Sequence, residues 1–341
     1  MSKTTPAISV LMPVFNAASV LPRAVRSVLG QDFRDLELVV VDDGSTDDSG
    51  TILEQARQRD DRVRPIHTDH GGITAALNAG LHACRAPLVC RMDADDECLP
   101  IRLTLQKRWL DVHPGHGLVS GRVRFGGTPV TSRGYALHVD WTNGILSEEE
   151  ISLSRFVESP FPHPSVMFRR NLVKRHGGYR EGQFPEDYEL WLRWMDAGVR
   201  MGKVPEEVLV WYDSPERLSR SDTRYSFHAF YRCKAVYLAR WLTRHNSHHP
   251  DVLVWGAGRE TRKRAEHLVE HGVRIKAYID IDPRKIGQTI HGRAVLGENQ
   301  IPAPEDAFVL SYVGSRGARE DILQRLRTRG FVPGRNCLPA A

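Results

Sequence analysis

Cysteine pairs, long apolar runs and repeated segments are what this 341-residue sequence lacks. Its five cysteines, Cys84, Cys90, Cys98, Cys233 and Cys337, include no Cys-x-x-Cys pair. An odd count at scattered spacing argues against a disulfide framework or a zinc site, and reduced thiols point to the cytoplasm. No stretch approaches the roughly 18 apolar residues of a membrane-spanning helix. Residues 1–7 show no basic region leading into a long apolar core, so no signal peptide is expected, and any membrane contact is expected to be peripheral. No internal repeat or low-complexity tract occurs.

What is present is ordinary for a folded protein: 41% apolar and 26% charged residues. That balance does not describe a disordered chain. The length fits two domains better than one, because single cores stop growing at roughly 250–300 residues. The net charge of +5 suits anionic phosphate ligands, an acidic membrane surface or nucleic acid, and is too small to choose among them.

The apolar pattern alternates between strand and helix. Strands are predicted over 8–14, 36–41, 63–67 and 87–92, with helices over 20–29, 51–57 and 73–84. That order predicts an α/β domain with a mostly parallel sheet covered on both faces. The next hundred residues are less regular. Helices are expected over 101–112, 147–158 and 188–197, strands over 118–125 and 165–169, and a glycine- and proline-rich stretch running to Val130. Residues 223–246 form an aromatic and basic helix, read as a packed helix that closes the first domain or as an interfacial helix beside a lipid-linked acceptor. The polar run at 245–250 reads as a linker. The expected domains are therefore 1–245, with a nucleotide-binding half over about 1–100, an acceptor half over about 101–222 and the closing helix at 223–245, and then 246–341.

Acidic clusters stand where two predicted strands end, at Asp42-Asp43 and at Asp93, Asp95 and Asp96. In open parallel sheets ligands bind beyond the carboxyl ends of strands. Asp93 and Asp95, two residues apart in extended chain, would point to one face and suit Mg²⁺ or Mn²⁺. An acidic turn capping the following helix is the plainer alternative. Asp43 could accept from a base N–H, or serve only as a turn residue before Gly44. A third pair, Glu186-Asp187, opens a helix; one carboxylate could act as a general base or merely cap that helix.

Five segments taken in order resemble the inverting family 2 glycosyltransferases, which have the GT-A fold. They are Val10-Leu11-Met12-Pro13-Val14-Phe15-Asn16, Val39-Val40-Val41-Asp42-Asp43-Gly44-Ser45-Thr46-Asp47, Met92-Asp93-Ala94-Asp95-Asp96 with Pro100, His163-Pro164-Ser165-Val166-Met167-Phe168-Arg169, and Glu186-Asp187-Tyr188-Glu189-Leu190. Their order and spacing cover roughly residues 8–215. The resemblance implies transfer of a sugar from a nucleotide-diphosphate donor, most often a UDP-sugar, to a hydroxyl on a glycan or lipid-linked acceptor. By position it implies that Pro13, Val14 and Asn16 line the nucleotide pocket, Asp43 reads the base and Asp93 touches the ribose. Asp95 would hold the metal and Asp187 would be the base. His163, with Glu186, falls near the acceptor or phosphate side, and His163 reads equally well as a packed loop residue. Processive members carry Gln-x-x-Arg-Trp after the base. Here Gln106-Lys107-Arg108-Trp109 has a different spacing and precedes Asp187, so it is read as helix surface and single-sugar transfer is expected.

The second domain opens with Val252-Leu253-Val254-Trp255-Gly256-Ala257-Gly258, which resembles a Rossmann-like dinucleotide-binding unit. Thr261 stands where that fingerprint has its third glycine, and Asp280 ends the next strand, where a ribose-binding acid would sit. Gly256, Gly258 and Asp280 thus make a weak nucleotide site. A structural or partner-docking role, including self-association, is the favoured reading, with no nucleic acid expected. Two rivals to the transferase stand at this stage: an NAD-type oxidoreductase using this domain, and a non-catalytic nucleotide-sugar-binding protein.

Overall fold

The computed structural model describes residues 5–127, 133–213, 220, 222–315 and 317–341. They form two compact units, one made of Met1–Ile151, Pro160–Gly182 and Ala197–Ser221, the other of Ser152–Ser159, Gln183–Asp196 and Asp222–Ala341.

The first unit begins β1 Ile8–Val14, α1 Leu21–Leu29, β2 Leu36–Asp43, α2 Ser49–Arg59, β3 Val63–Thr68, α3 Ile73–Ala83 and β4 Leu88–Arg91. It continues β5 Glu97–Cys98, α4 Arg102–Val112, β6 His116–Phe125, α5 Arg133–Gly144, α6 Glu148–Ser154, β7 Met167–Arg169 and α7 Asn171–His176. After α8 Glu186–Asp196, which belongs to the second unit, comes β8 Arg200–Trp211. The eight strands order as β3-β2-β1-β4-β7-β6-β8-β5. β1 to β4 are mutually parallel, and β7 and β5 run against their neighbours.

Every residue of β1 and of β2 is buried, as a strand covered on both faces requires. Pro13 is tolerated in this central strand because it lies past the stretch of β1 paired with β4. α1 buries Leu21, Ala24, Val25 and Val28, one stripe at helical spacing. α3 lies so close to the sheet that a Cβ at Gly80 would sit 2.1 Å from Leu11 Cδ1 and 3.0 Å from Val41 Cγ2. The strand order reverses between β1 and β4, which opens a crevice at their carboxyl ends.

Several sequence expectations change here. The expected helix at 147–158 is the shorter α6, and 165–169 divides into a 3₁₀ turn at His163–Ser165 and β7. The 12-residue β8 carried no strand signal, because Gly202 and Pro205 interrupt it. Gly202 makes room for the Trp109 indole, 2.2 Å from where a Cβ would stand. Pro205 falls within a bulge, where the pairing with β6 jumps from Val204 to Glu207. Gln106 is not helix surface: it is fully buried and donates to Ser165 O at 2.7 Å. The stretch expected to run to Val130 ends outside the described residues.

The second unit holds α8, then α9 Phe227–His245, β9 Asp251–Trp255, α10 Arg259–Glu266 and β10 Arg274–Ile279. It ends with β11 Thr289–Ile290, β12 Arg293–Leu296, β13 Val309–Ser311, α11 Ala318–Thr328 and β14 Cys337–Pro339. The six strands order as β11-β12-β10-β9-β13-β14, parallel except for the short β11, which is the Rossmann-like arrangement. Tyr231, Tyr237 and Trp241 of α9 are buried in this unit's apolar core, so these rings pack inward and are not offered to lipid. Lys234 on the same helix is buried as well. Its ammonium donates to Phe156 O (2.9 Å), Val157 O (3.2 Å) and Ala340 O (2.7 Å), which satisfies a cation that burial holds well below its ordinary pKa.

All five cysteines are buried free thiols, and burial pushes Cys90 up to about 12. No described helix is long and apolar enough to cross a membrane.

Candidate active site

The crevice wall is built from the loops that leave β1 and β2. Asn16 takes a left-handed backbone (φ 48°), which asparagine tolerates better than most residues. Its N–H donates to Ser45 Oγ (2.9 Å) and its side-chain oxygen accepts from Thr46 N (2.8 Å). Ala17 N donates to Ser49 Oγ and Ala18 N to Asp47 Oδ2, both at 2.9 Å. The β1 and β2 loops are thereby tied together over four consecutive bonds. Pro13 and Val14 sit directly beneath, paired with Val41 and Asp42.

Asp43 ends β2 and is buried. Its Oδ1 accepts from Gly71 N at 2.9 Å and its Oδ2 from Gly72 N at 2.8 Å, just ahead of the positive end of α3. His70 Nδ1 lies 2.9 Å from Asp43 Oδ2, and its ring stacks on the exposed Phe15 with centroids 4.2 Å apart. Phe15 lies in the first family-like segment but, like His70, was not among the expected site residues. A half-exposed aromatic pair beside a buried carboxylate offers a flat surface and an acceptor, a combination suited to a heterocyclic base.

The other wall is the acidic loop after β4. Carboxylate oxygens of Asp93, Asp95 and Asp96 all lie within 4.8 Å of one another. Met92 N donates to Leu11 O at 2.9 Å, which fixes the start of the loop against β1. Arg102 on α4 is fully buried beneath it. Its guanidinium donates to Arg91 O (2.8 Å) and to Gln106 Oε1 (3.0 Å). Arg91 is buried too and ion-pairs with Asp93. Three converging hard oxygen donors fit a divalent cation, the cofactor of this site, and Asp96 joins Asp95 in the set.

His163 lies in the same unit, at the 3₁₀ turn. It is buried, its Nε2 is 2.7 Å from the Tyr179 hydroxyl, and Tyr179 is held through its backbone by Asn78. Burial and the charge of Arg91 press the His163 pKa well below its ordinary value, so the ring is neutral.

The remaining expected residues belong to the second unit. Glu186 and Asp187 open α8, where negative charge is favoured by the helix dipole. Glu186 Oε2 accepts from the Tyr225 hydroxyl at 2.6 Å, and Asp187 Oδ1 from Tyr188 N at 2.7 Å. Gly256 has φ 117°, and a Cβ there would lie 2.7 Å from the Thr261 methyl, which accounts for a glycine at that position. Gly258 caps α10. Asp280 is drawn into the same turn: it accepts from Ala257 N (3.0 Å) and Asp282 N (2.9 Å) and pairs with Lys285 (3.0 Å).

A mostly parallel sheet with a cation-holding acidic loop at its switch point is the layout of the GT-A glycosyltransferases. Residues 9–177 match the Glycosyl transferase family 2 model. The O-antigen biosynthesis glycosyltransferase WbnJ of Escherichia coli is 28% identical over 246 residues, 69% of this chain and 89% of that protein. The amylovoran biosynthesis glycosyltransferase AmsE of Erwinia amylovora is 30% identical over 216 residues, 59% of this chain and 74% of that protein. In fold, residues 1–349 of S. aureus TarS, solved with UDP-GlcNAc, superpose with a TM-score of 0.52 at 18% identity, over 77% of this chain and 70% of that one. The chain belongs to glycosyl transferase family 2 and is a glycosyltransferase that uses a nucleotide-sugar donor.

Proposed function

We propose that this protein transfers one sugar from a UDP-sugar to a hydroxyl of a glycan or lipid-linked acceptor, with inversion, in the assembly of a cell-surface polysaccharide. The observation that carries the reading is the convergence of Asp93, Asp95 and Asp96 at the sheet's switch point in a family 2 chain. The relatives named for O-antigen and amylovoran biosynthesis support the pathway class, and the UDP-GlcNAc complex of TarS supports the choice of UDP. The cytoplasmic side of the membrane is where we place the reaction.

In this reading Phe15 and His70 bound the base, Asp43 accepts from its N–H, and Pro13, Val14 and Asn16 shape the pocket. Asp93 binds the ribose, and Asp95 with Asp96 holds Mn²⁺ or Mg²⁺. The cation would neutralise charge growing on the departing diphosphate. Asp187 takes the acceptor proton as the oxygen attacks the anomeric carbon, a contribution of roughly 10²–10⁴-fold. We assign the transfer reaction to residues 1–245 and a structural or partner-docking role to residues 246–341. The bonds of Asp280 to Ala257 and Lys285 support that second assignment over a working dinucleotide site.

The test is a donor panel with Mn²⁺, Mg²⁺ or chelator, followed by anomeric analysis of the product. Transfer from a UDP-sugar that stops on chelation and inverts the anomer supports the reading. Metal-independent turnover rejects the metal assignment, and an Asp187→Asn protein with full turnover rejects the base.

A further inference from the structure

The acidic loop is gripped from two sides by residues that no step above uses. Side chains at positions 23, 27 and 31 recur every four residues along α1 and its end, so they share one face. That face bonds to the loop, to the short strand after it and to the residue beyond, at residues 95, 98 and 99. Arg23 Nη2 donates to Asp95 O (2.6 Å), Ser27 Oγ accepts from Cys98 N (3.0 Å), and Gln31 Nε2 donates to Leu99 O (2.8 Å). On the other side, Tyr212 follows the end of β8. Its N–H donates to Asp96 Oδ1 (2.9 Å) and its hydroxyl to Glu97 Oε2 (3.2 Å). The two grips meet, because the Arg23 guanidinium stacks over the Tyr212 ring, 3.8 Å from its centroid.

We propose that Arg23 and Tyr212 are positioning residues that clamp residues 95–97 and so keep the three carboxylates converged for the divalent cation. This rests on the metal-site reading above. Residues 93–96 have no regular backbone structure. Carboxylates within 4.8 Å of one another repel, and an unsupported loop relieves that repulsion by splaying. The clamp opposes splaying at the backbone of Asp95 and at one oxygen of Asp96. A site held in shape before the cation arrives binds it without reordering the loop. The clamp also joins the loop to the end of β8.

The test reads cation binding and needs no acceptor. Mn²⁺ is titrated into the full chain and followed by electron paramagnetic resonance, with saturating UDP and separately with GDP. Arg23→Met and Tyr212→Ala are expected to weaken Mn²⁺ binding about 10-fold or more, the scale seen when supporting partners of metal ligands are removed. Tyr212→Phe keeps the ring beneath Arg23 and the N–H to Asp96 and loses only the bond to Glu97, which is not one of the three converging carboxylates, so it is expected to bind close to the wild type. Melting temperatures are recorded alongside; if Tyr212→Ala unfolds early, Arg23→Met decides. Wild-type Mn²⁺ affinity in Arg23→Met overturns the clamp while leaving the metal site standing. A wild-type protein that takes up no Mn²⁺ with either nucleotide overturns the metal site and the clamp together.

Discussion

Arg91 and Asp93 form an ion pair across the end of β4, with the arginine almost wholly inside the protein and the aspartate at the crevice surface. The pair links stability to the function proposed above, because the carboxylate at the crevice also balances a buried cation. Arg102, fully buried beside it, is held differently, by the Arg91 carbonyl and the Gln106 amide oxygen.

Replacing Asp93 with asparagine is therefore expected to cost fold stability as well as activity. Leaving a buried charge unpaired typically costs about 3–5 kcal/mol. Asp93 is partly exposed, so the lower end is expected. Urea unfolding of Asp93→Asn against wild type measures it, and equal midpoints would show that Arg91 does not depend on its partner.

Asp95 behaves differently. It is partly exposed and stands in the cation-binding set. Asp95→Asn is expected to lower Mn²⁺-dependent transfer at least about 100-fold, in the range lost when charge stabilisation of a transition state is removed. Its unfolding midpoint should stay close to wild type. A large stability loss would assign Asp95 to the scaffold.

His163 sets an acid limit. Its folded pKa lies below the unfolded value, since burial and Arg91 disfavour the imidazolium. Below the ordinary histidine pKa of about 6.5 the unfolded chain gains a proton that the folded one refuses. Stability from this group is therefore full above that pH and falls as the solution is acidified, by at most about 1.4 kcal/mol per pH unit. Urea unfolding from pH 7.5 to 5.5 should show a shallower decline in His163→Gln than in wild type. Parallel curves would contradict the shift.

Gly80→Ala sets two effects against each other. Alanine gains about 1 kcal/mol of helix propensity over glycine. The new Cβ would meet Leu11 at 2.1 Å, and overpacking of a tight core costs about 1–3 kcal/mol. Clash outweighs propensity, so a lower melting temperature is expected. A raised one would mean that Leu11 moves aside freely.

Much of the first sheet was legible because β1, β2 and β4 are mostly apolar runs, and β2 and β4 lead into acids. β8 was not, since the glycine that admits Trp109 and the proline in its bulge look like breakers in a linear reading. Arg91, Arg102 and Gln106 were missed for a related reason. Charged and amide side chains read as surface, and only the fold shows that Arg102 and Gln106 reach carbonyls 11 and 59 residues away and that Arg91 is buried against Asp93, two residues on. Asp43 was legible as a strand-end acid, whereas its bonds to Gly71 and Gly72 span separations that no local pattern reveals.

The left-handed turn at Asn16 carries one more implication. Residues 16–18 and 45–49 are laced to each other by bonds within the chain, so they shift as a single piece. In the nucleotide pocket proposed above, a ligand would meet a finished socket and lose little affinity to freezing mobile backbone.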